Sequence, residues 1–231
     1  MSHAVEARRL LRSCRSGALA TLSRRLQGYP FVTAAPFMSD FDGSVVLLIS
    51  RLAEHTKNIE ADTRVSLLVH ESSSDVQAAA RLTVAGMCDR IDAQPELKER
   101  YVRRFPDAND LLALDFDFHR IQPTAIRYIG GFGKIHWIEP ASFISDAGIG
   151  ASIEQAQLAF LNDRRSQDLL RAGASDSRLP SNVRAIALDC DGVDVRAGNE
   201  IHTQRLAFVR SVTTGDDLTA AFDTLLGREA S

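Results

Sequence analysis

The sequence has few of the residues that mark secreted, metal-binding or membrane proteins. Its three cysteines, Cys14, Cys88 and Cys190, are scattered through 231 residues, with no CxxC and no HxxxH spacing beside them. That excludes a disulfide framework and a zinc site, so no metal is expected, and it points to a reducing cytoplasm with three small buried thiols. The opening MSHAVEARRLLRSCRSG holds no long apolar run, so neither a signal peptide nor a membrane span is expected. A net charge of −3 supplies no global field for nucleic acid or an anionic membrane, leaving a local basic pocket as the only route to a phosphate. Internal repeats and low-complexity runs are absent.

What is present reads as a β-rich globular chain, long enough for a domain of about 150 residues and a smaller one. Residues 3–16 place Ala4, Ala7, Leu10, Leu11 and Cys14 on one stripe, which predicts an amphipathic helix closed by Gly17 in an αL conformation. Strand-like runs follow at 17–23, 29–38 and 44–50, punctuated by Gln27-Gly28 and by the 40–43 turn. A short helix at 52–61 precedes strands at 64–71 and 80–91, and Pro95 opens a helix at 95–104. Residues 111–138 alternate over two strands, or one strand pair with a bulge, broken by Pro123 and Gly130-Gly131. Sequential strands with few helical crossovers predict an antiparallel barrel rather than a parallel α/β sheet.

Composition shifts at Glu139-Pro140, which reads as a linker. Beyond it come a helical period over 152–173, a hairpin at 183–198 turning on Asp191-Gly192, a strand at 205–210 and a closing helix at 216–228. The expected division is a domain at 1–140 and a small α+β domain at 145–231.

The segment LLISRLAEHTKNIEADTRVSLLV (47–69) holds most of the candidate chemistry. A buried strand ends at Ser50, a helix starts almost at once, and Arg51, His55, Thr56 and Lys57 gather at that start. Helix N–H groups, two cations and two hydroxyls suit a terminal phosphate. The competing reading makes Ser50 an N-cap and the cations a solvated face, and Glu54 in the first turn favours it.

On these runs the chain resembles the pyridoxamine 5′-phosphate oxidase-related FMN-binding split barrels, and within them the haem-utilisation (HugZ-type) branch. The likeness rests on GALATLS, GYPFVTAAPFMSDFDGSVVLLISRLAEHTKNIEADTRVSLLV, ARLTVAG and GGFGKIHWI, across roughly residues 5–138. LDCDGVDVRAG is similar to a small domain often fused behind such barrels. The resemblance implies a mainly β, antiparallel split barrel with short helices, and a homodimer with its cofactor at the subunit interface. FMN is the expected cofactor and haem the alternative. The functional readings are a flavin-dependent oxidoreductase, a haem-binding or haem-degrading protein using the same pocket, or a non-catalytic regulatory protein. Carried over, the resemblance implies FMN contacts from Thr33, Pro36, Ser50, Arg51, His55, Thr56, Lys57 and Arg81. Val32 and Phe37 stand where pyridoxamine phosphate oxidases carry Arg and Lys, so vitamin B6 oxidation is not expected. No histidine follows His202, so the haem ligand near the C-terminus of the haem-utilisation branch has no counterpart.

The remaining polar residues read as structural. His70 and His119 lie in strands as hydrogen-bonded residues, His136 beside Trp137 as a packed aromatic edge, and His202 at a turn. Asp115 and Asp117 alternate with aromatics on an exposed strand face, and Gly130, Gly131 and Gly133 permit a bend.

Overall fold

A computed structural model of the chain describes residues 2–73, 75, 77–131, 134–145, 148–163, 183–197 and 203–225. The chain divides into two compact units, Met1–Ser145 and Asp146–Ser231. In the first, α1 (His3–Ser13) leads into β1 (Ser16–Leu22), β2 (Pro30–Pro36), β3 (Met38–Ser39), β4 (Val45–Ser50), α2 (Glu54–Ala61), β5 (Arg64–His70) and β6 (Ala80–Arg90). Then come α3 (Pro95–Arg104), α4 (Ala108–Leu111), β7 (Phe116–Gly130), β8 (Ile135–Ile138) and α5 (Pro140–Phe143). The strands form one antiparallel sheet in the order β2-β1-β5-β6-β7-β4-β3, with β8 added to β7. Although β2 and β4 lie near opposite ends of that order, they touch, so the sheet curls into the expected split barrel.

The curl follows from alternation. Inward residues from six strands, among them Leu19, Ala35, Leu47, Leu67, Leu82 and Ile126, share one core with Leu10 and Leu11 of α1. The reverse side of β4 and β7 packs Val46, Leu48 and Phe118 against Tyr101 of α3. Buried arginines fasten the helices. Arg8 donates to the Phe143 carbonyl at 3.0 Å, and Arg12 to that of Phe41 at 2.7 Å. Arg104 caps the end of α1 through the carbonyls of Arg12 and Cys14.

Glycine explains where the sequence misled. Gly17 is not the helix cap: α1 stops at Ser13, Cys14 is extended, and Gly17 lies inside β1. A Cβ there would stand 2.7 Å from the Leu68 carbonyl oxygen, so close strand approach requires this glycine. Pro123 does not split 116–130, which is one strand. The pairing shifts register at Ala85/Gly86 opposite Pro123, and a Cβ on Gly86 would lie 2.1 Å from the Gln122 carbonyl oxygen. The 29–38 run divides at Phe37 into β2 and β3.

The second unit contains α6 (Ala151–Leu161), a sheet of β9 (Val183–Asp189), β10 (Gly192–Ala197) and β11 (Thr203–Ala207), and α7 (Leu218–Leu225). Its hairpin turns on Cys190-Asp191 rather than Asp191-Gly192, because Gly192 already pairs with Asp189 and with Ala207. The expected helix beyond residue 163 and the extension of α7 to 228 lie outside the described residues.

Candidate functional site

The Ser50–Lys57 turn is built by β4 ending against β7. Its donors are largely committed. The Ser50 hydroxyl donates to the Asp115 carboxylate and accepts from the Leu52 N–H at 3.0 Å, so Ser50 is not the N-cap; that position belongs to Ala53, which offers no side-chain bond. Thr56 is buried and donates to the Ser50 carbonyl at 2.6 Å. His55 Nδ1 meets the Thr33 hydroxyl at 3.2 Å, while its Nε2 is buried without a partner. Burial, and then the charge His119 would carry, push the His55 imidazole below its ordinary pKa. Arg51 lies 3.9 Å from Asp117, which also pairs with Arg90 at 3.2 Å.

Asp115 and Asp117 are therefore not an idle exposed face. Together with Glu54 they place three carboxylates around the turn. The Ser50 hydroxyl, followed by backbone N–H groups, holds the Asp115 carboxyl below the usual range, so it is ionised at neutral pH. These carboxylates offset Arg51 and Arg90, so the turn offers a phosphate dianion little net positive charge. Thr33, Ser50, Arg51, His55 and Thr56 come together here, with Lys57 next on the helix. Pro36 and Arg81 are elsewhere, at the far ends of the strands that frame the barrel's outer face.

That outer face is the second candidate. A groove of about 460 Å³ runs across β1, β2 and β5, lined by Ser16–Ala18, Val32–Ala34, Leu68–His70 and Ser72. Small side chains open it between β1 and β2, where Ala18 pairs with Ala34, while Leu68 stands across from Ala18 as an apolar wall. Val32 is 58% exposed and Leu68 39% exposed, leaving apolar walls open to a ligand. His70 ends β5 at the rim, opposite Arg81 in register; Arg81 donates to the Gln77 and Ala79 carbonyls. Thr33 lines this groove too. A neighbouring hollow of about 430 Å³ includes Pro30, Arg64 and Met87 but no imidazole. Its cation is already tied to Asp62, whose carboxyl is held down to about 2.

No other described histidine lines this groove, although His55 reaches its Thr33. His119 is buried, with Nδ1 3.3 Å from the Asp117 carbonyl, as a structural residue should be. His136 stacks on His3 at 3.6 Å and 14°, not on Trp137, which is exposed and faces the Arg127 guanidinium. His202 and Gly133 lie outside the described residues. In the second unit, Asp189, Cys190 and Asp191 bring possible metal-ligand atoms together. The buried Arg205 donates to Asp189 at 2.6 Å and to Asp194 at 3.1 Å, so a guanidinium already supplies positive charge there.

Residues 1–145 match the family described as "CREG, beta-barrel". Two relatives are similar in sequence. The chloroplastic non-canonical haem oxygenase HOZ of Arabidopsis thaliana is 33% identical over 57% of this chain and 41% of its own length. Haem oxygenase HutZ of Vibrio cholerae is 31% identical over 48% of this chain and 68% of its own. The chain thus spans about two-fifths of the plant protein and two-thirds of the bacterial one. Among solved structures, protein Atu2129 of Agrobacterium tumefaciens, described as of unknown function, superposes with TM-score 0.77 at 26% identity, over 97% of this chain and 95% of that one. A haem-binding protein of Mycobacterium smegmatis gives TM-score 0.57 at 26% identity, over 99% and 97%.

Proposed function

This chain belongs to the CREG β-barrel family, and from that membership we propose that it binds haem in the groove across β1, β2 and β5, rather than FMN at the Ser50–Lys57 turn. The observation that carries the proposal is its likeness to relatives named for haem, at 33% and 31% identity. Local chemistry supports the same choice. A porphyrin asks for a flat apolar slot and an imidazole, and the Ala18–Val32–Ala34–Leu68 walls with His70 at the rim supply both. FMN asks for a phosphate cradle, and the turn expected to provide it is ringed by Glu54, Asp115 and Asp117. Bound haem would supply a redox-active iron whose reactivity the surrounding groups tune. In the sense of the two relatives' names, haem is then substrate as well as ligand.

A second copy of the chain completes the site in this reading. Among the described residues β2 pairs only with β1, and Tyr29, Val32, Leu68 and Met87 stand exposed on or beside β1's neighbours and the strands beyond them. Apolar exposure of this kind supports an interface with a second copy. Free thiols support a cytoplasmic setting.

Titration of the full-length protein with haemin and, in parallel, with FMN tests the proposal. A saturable Soret band with haemin and no quenching of FMN fluorescence is expected. Flavin binding without haem binding would overturn it. Loss of the Soret band under oxygen with ascorbate is expected if haem is consumed.

A further inference from the structure

His70 is set up in a way that the other described histidines are not. It is exposed at the end of β5, and its Nδ1 lies 2.8 Å from the Glu71 carbonyl oxygen. A carbonyl can only accept, so Nδ1 carries the proton, and in the neutral ring Nε2 keeps its lone pair. A backbone carbonyl that fixes tautomer and ring orientation in this way is the usual support of a metal-bound imidazole. The residue that supplies this carbonyl is anchored at the end of the β5–β6 ladder, where the Glu71 N–H donates to the Ala80 carbonyl at 2.9 Å.

Other described imidazoles lack this freedom. The Nε2 of His55 is shut inside the protein and its Nδ1 meets Thr33. His119 is buried. His3 and His136 cover each other face to face. His70 alone among them borders a groove wide enough for a ligand and walled by apolar side chains.

Resting on the haem reading above, we propose that His70 would hold the haem iron in this chain, through Nε2. Neutral imidazole nitrogen is a good ligand for iron, and a ring held by its own carbonyl loses little freedom on binding.

The test is spectroscopic. Wild type, His70→Ala and His70→Tyr, each full length, are loaded with haemin and examined by absorbance and electron paramagnetic resonance. Wild type should show imidazole-ligated ferric haem. His70→Ala should lose that signature and weaken haem binding at least about tenfold, and added imidazole should restore the spectrum. His70→Tyr should give a phenolate-ligated ferric signal, which reports the position even if the alanine variant folds poorly. A His70→Ala protein that keeps the wild-type spectrum overturns the ligand and leaves the haem reading standing. Wild-type protein that takes up no haem overturns the haem reading, and the ligand with it.

Discussion

Arg100 illustrates how much of the barrel's stability rests on single buried cations. Its side chain is 3% exposed, meets Asp40 at 3.3 Å, donates to the Ser39 carbonyl and lies over the Phe41 ring at 4.0 Å. Arg120 also pairs with Asp40, so Arg100→Ala should cost about 1–3 kcal/mol in urea unfolding, through the lost hydrogen bond to the Ser39 carbonyl rather than through a stranded carboxylate. Gly86→Ala should cost about 2 kcal/mol or more, because the added Cβ meets the Gln122 backbone at 2.1 Å and the ladder cannot yield freely. His55 and His119 make stability depend on pH. Burial pushes both below their ordinary 6.5, with the charge of His119 adding to the effect at His55. Their folded pKa values lie under the unfolded ones, so the unfolded chain binds more protons as pH falls. The stability they confer is complete above about 6.5 and is lost as pH drops through the folded values. Urea midpoints taken from about pH 7.5 down to about pH 5.5 should decline, and the His55→Asn, His119→Gln double variant should flatten that slope.

At the scale of elements, we propose that β2 carries the interface between two copies of the chain. Its outward residues alternate Pro30, Val32, Ala34 and Pro36, and a charge placed among them would face the second copy. Val32→Lys should convert a dimer into a monomer at micromolar concentration in sedimentation, without unfolding the barrel; an unchanged sedimentation coefficient would count against the interface. Strands and helices were largely legible because their periods are local: alternation in β1, β5 and β6, and the apolar stripe of α1. Glycine roles were not. Gly17 reads as a helix cap because it follows an apolar helical stripe, yet Leu68, 51 residues away in sequence, dictates its size. The candidate site was half legible for the same reason. Arg51, His55, Thr56 and Lys57 stand out by their clustering, whereas Asp115 and Asp117 reach that turn only through the β4–β7 pairing. His70 gives no sequence signal, since the carbonyl that orients it belongs to backbone.

Over the whole molecule, each compact unit has buried apolar residues of its own. Phe143 closes the first, while Leu161, Val183, Leu188 and Phe222 are buried in the second. We propose that residues 1–145 fold alone, and a truncated chain should retain cooperative unfolding and the dimer; an insoluble or molten product would mean a shared core. Among the described residues no helix is long and apolar enough to cross a membrane. The central claim, haem in the outer groove, is tested most directly by NMR of the full chain with ferric haemin against its diamagnetic zinc porphyrin analogue. Paramagnetic broadening should be strongest at His70 and at its groove neighbours Ala18, Val32, Ala34 and Leu68. Broadening centred instead on Ser50, Arg51 and Asp115, or none anywhere, would contradict it.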